Sequence, residues 1–163
     1  IDVYGKCGRL ECDKTYEGEC YDMLERDYFF YFAFENTLCK DYVTEKFFLP
    51  MQHYVLPVVY GGADYLKFAP PHSYINAQDF NTTAELAEFL LALTQNPTKY
   101  ASYFWWKKYY SYEDTTHSTL CDLCEKLHND KIPKTVNNFE EYYIKDQCYS
   151  PYNLSWMQAI YQR

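Results

Sequence analysis

Glycine is scarce in this 163-residue chain, at 5 residues, and proline is little commoner at 7. No low-complexity linker, internal repeat or long charge run interrupts it. Arginine occurs only at positions 9, 26 and 163, and 15 Lys+Arg face 23 Asp+Glu for a net charge of -8. So acidic a chain has no basic face for wholesale binding of nucleic acid or of an acidic membrane, and any phosphate site has to be local. Long apolar runs are missing too. Stretches such as Tyr28–Phe34 fall far short of the roughly 20 apolar residues that a spanning helix needs. No secretory signal pattern opens the chain, which starts at Ile1 without Met. We read it as a piece of a longer protein whose targeting lies elsewhere.

What the chain has in excess is aromatic side chains: 20 Tyr, 11 Phe and 3 Trp, or 21%. Disordered segments are poor in such residues. The length suits one domain, and a hydrophobic content of 48% suits an ordinary core. A chain this long buries about two thirds of its unfolded surface. Seven cysteines (7, 12, 20, 39, 121, 124, 148) are many for a cytosolic domain, and two glycosylation sequons begin at Asn81 and Asn153. Together they favour the secretory pathway, where disulfides persist. The count is odd, so at least one thiol is free or has its partner outside this chain.

Apolar blocks alternate with helix-like ones. Residues 1–5 read as a strand, 21–26 as a short helix, and 29–34 as a strand buried on both faces. The stretch from Asp41 to about His53 reads as a helix that Pro50 ends or kinks. Residues 55–60 form the next strand, stopped by Gly61-Gly62, and 73–77 another. The clearest helix spans 82–94, with Thr83 as its cap and Leu86, Ala87, Leu90, Leu91 and Leu93 as its apolar face. A second helix is predicted from Pro97 to about Tyr112, and a third around 119–128. This alternation argues for a parallel α/β sheet.

Chemistry concentrates in Tyr31 to Lys46. There a buried strand runs into Glu35-Asn36-Thr37, and Lys40-Asp41 leads to a helix start. Ligands of open α/β sheets bind beyond the carboxyl ends of the strands, where a helix N-terminus offers N–H groups to phosphate. Tyr42, Glu45 and Lys46 stand at i, i+3 and i+4, which predicts one shared face. A phenol, a carboxylate and an ammonium there suit a sugar nucleotide: Lys46 against diphosphate, Glu45 accepting from sugar hydroxyls, Tyr42 donating to a phosphate oxygen. The same spacing equally describes a solvated helix start with Glu45 and Lys46 on the surface.

Two other features have competing readings. Cys121-x-x-Cys124 with His128 has the form of half a zinc site, but only Cys148 offers a fourth ligand, so we expect no metal. A redox CxxC would instead open a helix in a thioredoxin-like unit. The aromatic run Tyr100–Tyr112 could stack on sugar, although at helical spacing core packing is the commoner use. The histidines at 53, 72, 117 and 128 share no spacing and suggest no active site.

The segment FYFAFENTLCKDYVTEKFF resembles the signature of the α-1,3-fucosyltransferases, glycosyltransferase family 10. Flanking landmarks fall in the same order: VYGKCG at the start, PVVYGGADY, PPHSYIN, YFWWK and LCDLC. The resemblance covers about residues 1–128. It implies the C-terminal half of a two-domain GT-B enzyme, with a Rossmann-like parallel sheet as a GDP-fucose-binding domain over residues 1–128. Residues 129–163 would be a C-terminal extension packed on it. The implied reaction transfers L-fucose with inversion from GDP-β-L-fucose to a GlcNAc hydroxyl of an N-glycan or other glycoprotein glycan. The family's donor contacts fall on Asn36, Tyr42, Glu45 and Lys46, with Glu35 and Lys40 as weaker candidates. The catalytic base and a further phosphate-binding arginine are expected outside this chain. No metal is obligatory on this reading, and a divalent cation would at most stimulate. The parent would be a type II protein of the Golgi lumen, anchored in the membrane by a segment absent here. By the same resemblance Cys121 and Cys124 form disulfides with cysteines of the other half, while Cys39 reads as a free thiol. Glycans are expected on Asn81 and Asn153. The rival reading is a non-catalytic binding or structural domain of the same fold.

Overall fold

A computed structural model of the chain describes residues 1–5, 8–12, 17–112, 116–132, 135–143, 145, 147 and 148. Elements run in the order α1 (Glu17–Asp27), β1 (Phe30–Phe34), α2 (Glu45–Met51), β2 (Leu56–Tyr60) and β3 (Ile75–Asn76), followed by α3 (Thr83–Thr94), α4 (Pro97–Ser102), α5 (Thr116–Asn129) and α6 (Phe139–Tyr143). The fold is α/β. The three strands form one parallel sheet in the order β1-β2-β3, with Phe30 opposite Leu56, Phe34 opposite Tyr60, and Val58 opposite Ile75.

Strand β2 is the centre, and all five of its residues are buried. Its side chains alternate between two cores, as the pleat requires. Leu56, Val58 and Tyr60 pack with Ile75 and with Leu86, Leu90 and Leu93 of α3. Val59 points the other way, to Phe47 and Met51 of α2 together with Ala33, Tyr65, Ala69 and Trp106. Pro57 lies inside this strand although it lacks the N–H that a ladder uses. The Leu56 N–H donates to Phe29 at 3.0 Å and the Tyr60 carbonyl accepts from Glu35 N at 2.9 Å. The intervening Pro57 therefore faces the β3 side, where pairing starts only at Val58. Its missing donor breaks no bond.

Several expectations are corrected here. The strand at β1 is only partly buried: both faces pack on a core, but it lies at the sheet edge among the described residues, with Phe29 and Phe34 exposed. Residues 1–5 make only an isolated bridge, Tyr4 to Leu10. Thr82, not Thr83, caps α3, accepting from the Glu85 N–H at 3.1 Å. The Glu85 carboxylate returns to the Asn81 N–H at 2.9 Å, close to a capping box. Ala87 and Leu91 face solvent, and the buried face of α3 is narrower than the sequence pattern. Beyond Pro97 the single long helix is in fact two short turns, α4 and a 3₁₀ segment Trp105–Lys108. The helix expected around 119–128 is α5, and the one at 21–26 is α1. No described helix is long and apolar enough to cross a membrane.

The aromatic run divides evenly: Tyr100, Tyr103, Phe104 and Trp106 pack on the core, while Trp105, Tyr109, Tyr110 and Tyr112 are exposed. Trp106 is buried under α2, and Tyr100 and Phe104 pack against the α3 core, with the Tyr100 hydroxyl donating to the Phe29 carbonyl at 2.7 Å. Trp105 is exposed and donates its indole N–H to the Pro71 carbonyl at 3.0 Å.

Candidate functional site

The loop from Glu35 to Thr44 leaves the carboxyl end of β1 and delivers the chain to α2. Its first residue is fixed twice. The Glu35 N–H extends the sheet ladder onto Tyr60, and its side chain is wholly buried. That carboxylate accepts from the Thr44 N–H at 2.8 Å and from the Thr44 hydroxyl at 2.8 and 3.1 Å. Thr44 is the N-cap of α2, with extended backbone and its hydroxyl oxygen 3.5 Å from the Lys46 N–H. A buried acid at the strand end thus clamps the start of the next helix.

Lys46 sits on top of this clamp. Its ammonium is 3.3 Å from Glu45 Oε1, 3.8 Å from Glu35 Oε2 and 3.2 Å from the Thr44 hydroxyl. Burial favours its neutral form, but the hydrogen bond and charge of Glu45, then Glu35 and Tyr42, outweigh that and hold it above its ordinary value. Burial would likewise raise Glu45, yet its backbone hydrogen bond and Lys46 keep it below the usual carboxylate range. The two side chains hold each other charged, and Lys46 is a fixed cation over a neutral pH range.

The expected residues are only partly brought together. Glu45 and Lys46 open α2 as neighbours. Tyr42 precedes the N-cap and so shares no helical face with them; its backbone N–H closes a turn on the Cys39 carbonyl at 3.3 Å. The helix begins at Glu45, four residues later than Asp41, because Asp41 takes a left-handed φ of 57° and Thr44 an extended backbone, neither of which a right-handed helix can include. Pro50 ends it one residue further on, at Met51, and the seven-residue α2 has a smaller dipole than a longer helix would offer. Asn36 is exposed at the start of the loop. Lys40 is exposed and lines a separate cavity of about 840 Å³ with Val136, Asn138 and Tyr142. Thr44 is missing from the sequence reading, although a threonine directly before an acidic first turn is a helix-start signal.

Cys39 is not a free thiol: it forms a disulfide with Cys148. The cysteine was expected to stay unbridged because it lies inside the signature, but the described C-terminal segment passes over the loop there. A second disulfide joins Cys12 and Cys20. Cys121 and Cys124 are exposed one turn apart on α5. Asn81 is exposed, whereas Asn153 lies outside the described residues. Among the described residues no group of His, Cys, Asp and Glu could hold a metal ion.

A further cavity of about 450 Å³ opens beyond β2 and β3, with Asp64, Asp79, Asn76, Tyr74, Phe80 and Tyr103 in its wall and no lysine or arginine. Its carboxylates disfavour an anion, whereas Lys46 sets a cation near the carboxyl end of β1. The glycosyltransferase family 10 (fucosyltransferase) C-terminal model matches residues 1–142. The chain belongs to glycosyltransferase family 10. This family has the GT-B fold, of which the parallel sheet and its flanking helices are a part. The chain is 48% identical over 129 residues to alpha-(1,3)-fucosyltransferase C of Drosophila melanogaster, an alignment covering 79% of this chain and 30% of that protein. It is 42% identical over 134 residues to glycoprotein 3-alpha-L-fucosyltransferase A of the same fly, covering 80% and 26%. With a human 4-galactosyl-N-acetylglucosaminide 3-alpha-L-fucosyltransferase it shares 31% over 147 residues, covering 88% and 38%. The aligned part is thus between a quarter and two fifths of these family 10 relatives.

Proposed function

We propose that this chain is the donor-binding part of an α-1,3-fucosyltransferase that moves L-fucose, with inversion, from GDP-β-L-fucose to GlcNAc of a glycoprotein glycan. The observation that carries the reading is Lys46, a charged ammonium poised beside Glu45 at the strand end of a family 10 chain. Lys46 takes the diphosphate, Tyr42 and Asn36 donate to its oxygens, and Glu45 accepts from hydroxyls of the donor. Glu35 holds the helix start beneath them, and Lys40 assists from the loop. Lys46 stabilises the leaving diphosphate electrostatically, a role that needs no obligatory metal. A carboxylate outside this chain takes the acceptor proton in one in-line displacement. Residues 1–128 form the donor domain, and 129–163 an extension of which residues 149–163 lie outside the described residues. The complete protein works in the Golgi lumen behind a membrane anchor, with glycans on Asn81 and Asn153 and with Cys121 and Cys124 in disulfides.

Calorimetric titration with GDP-fucose tests this. Lys46→Ala should weaken donor binding about 10- to 150-fold, because a charge-assisted hydrogen bond contributes about 1.5–3 kcal/mol. Unchanged affinity in a folded variant would sink the assignment. Residues 1–163 alone should bind donor weakly and transfer no fucose. Robust turnover by them would put the base inside this chain.

A further inference from the structure

The loop that carries the proposed donor contacts is ten residues long, and it is secured at its ends by Glu35 and Thr44. Its middle is secured differently. Leu38 is buried in the core, and the backbone at Leu38 and Cys39 lies directly against Gly62 on the sheet side. The C-terminal segment is joined to it there: Cys39 is disulfide-bonded to Cys148, the two residues form an isolated antiparallel bridge, and the Lys40 N–H donates to the Gln147 carbonyl at 2.6 Å. The bridge joins positions 109 residues apart. Cys39 stands three residues from Asn36 and three from Tyr42.

We propose that the Cys39–Cys148 bridge is a strut that positions Asn36 and Tyr42 for the donor, making both cysteines positioning residues for donor binding. Without it, the stretch between Leu38 and Thr44 keeps one apolar anchor, Val43, which packs on the α2 core three residues before Lys46 and beyond Tyr42, and weaker restraints nearer Cys39. One is the turn that Tyr42 N closes on the Cys39 carbonyl, and it moves with the loop. Another is the ion pair of Lys67 with Asp41 at 3.7 Å, both of whose side chains are more than half exposed. Such exposed pairs constrain little. The left-handed Asp41 adds a conformation that a released loop would leave readily. The strut ties the loop to the C-terminal segment, and Gly62 backs it at Leu38 and Cys39. Its cysteines therefore act on donor affinity and leave the acceptor untouched.

This inference rests on the donor face proposed above, and its test separates the two. Cys39→Ser, Cys148→Ser and the double variant are made in the complete protein, with Lys46→Ala beside them, and affinity for GDP-fucose is measured with KM for donor and for acceptor. Each cysteine variant should weaken the donor by about ten- to a hundredfold, the scale on which a displacement of roughly 1 Å acts. The double variant should add nothing, since the first substitution already removes the strut. Acceptor KM should not move. Full donor affinity in the cysteine variants, with Lys46→Ala impaired, overturns the strut and leaves the donor face standing. Full affinity in Lys46→Ala overturns the donor face itself. Should the serine variants fail to fold, wild-type protein is mapped under non-reducing conditions for the linked 39/148 peptide. Hydrogen exchange is then followed at residues 36–44 before and after mild reduction by a phosphine. Absence of the linked peptide, or unchanged exchange after reduction, refutes the proposal.

Discussion

Gly62→Ala should displace the donor loop without touching any of its functional side chains. A Cβ built on Gly62 would lie 2.4 Å from the Leu38 carbonyl carbon, 2.6 Å from its oxygen and 2.7 Å from the Cys39 nitrogen. All three are backbone atoms, so no side chain can rotate away. Restoring ordinary contact at about 3.4 Å requires the loop or β2 end to move by about 1 Å. Tyr60 at the β2 end is held against Phe34 and, through its carbonyl, to the Glu35 N–H, and the loop beyond Glu35 is the softer partner. Overpacking of this kind typically costs about 1–3 kcal/mol, offset in part by the smaller unfolded-state entropy of alanine, about 0.4–1 kcal/mol. Stability should therefore fall by about 0–2.6 kcal/mol on these figures. Donor affinity should fall roughly a hundredfold, because misplacement of about 1 Å acts on every contact at once. Calorimetry with GDP-fucose and denaturant unfolding of the same preparations separate the two effects. A variant with wild-type donor affinity, or one whose lost affinity is matched by wholesale unfolding, would refute the reasoning.

The neighbouring glycine should behave differently, since a Cβ on Gly61 would meet the Tyr65 hydroxyl at 2.4 Å. Tyr65→Phe should leave stability unchanged or raised, because that buried hydroxyl has no partner among the described residues, and it should rescue Gly61→Ala in a double-mutant cycle. Additive effects would contradict this. Lys107 donates to the Met51 carbonyl at the end of α2, at 2.7 Å, with its ammonium near the rings of Tyr54 and Trp106. Lys107→Met should cost about 1–3 kcal/mol, read as a lower denaturant midpoint, by leaving that carbonyl unsatisfied; an unmoved midpoint would count against it. Neither Glu45 nor Lys46 should give a transition in GDP-fucose binding between 4.5 and 10.5, their ordinary values. Glu45 is lowered, so its pairing is present above 4.5 and lost as pH falls through the lowered value. Lys46 is raised, so its pairing is complete below 10.5 and lost as pH rises through the raised value. A calorimetric transition near neutrality would show that some other group controls the donor.

The parts of the fold most legible in the sequence were those set by burial on a simple period. Residues 55–60 read as a strand because five consecutive positions are buried, and α3 read as a helix because Leu86, Leu90 and Leu93 recur on one side. What escaped was decided by single backbone events or by distant partners. The start of α2 moved to Glu45 because Asp41 adopts a left-handed φ and Thr44 an extended backbone, which a run of plausible helix formers conceals. The burial of β1 was overestimated because an aromatic run looks the same at a sheet edge as at its centre. Cys39 could not be paired from sequence, since its partner is 109 positions away and is brought over the loop only by the fold. In the site, Glu45 and Lys46 were legible as a charged pair, but Glu35 was ranked low and Thr44 was absent. Their importance lies in a contact between two chain ends of one loop, and no local spacing announces it.

That contact gives the two acids around Lys46 different fates when an anion arrives. Glu45 is exposed over 66% of its side chain, so its pairing with Lys46 is weak in net terms and is given up at little cost. Glu35 is wholly buried and fastened to Thr44, so it cannot follow. On the proposed reading, the diphosphate replaces Glu45 at the ammonium, and the displaced carboxylate becomes available to the donor's hydroxyls. Glu35 stays 3.8 Å beneath, keeping the lysine side chain aimed while its outer partner changes. Less side-chain freedom is then lost on binding than for a lysine in open solvent, where ordering one such chain costs about 0.5–1.5 kcal/mol. The arrangement also sets a limit. The buried carboxylate repels the same diphosphate that Lys46 attracts, so the site can hold its anion only while Lys46 stands between the two. Removing the lysine would both delete an attraction and expose a repulsion, which is why its loss should weigh more heavily than the loss of either neighbouring acid.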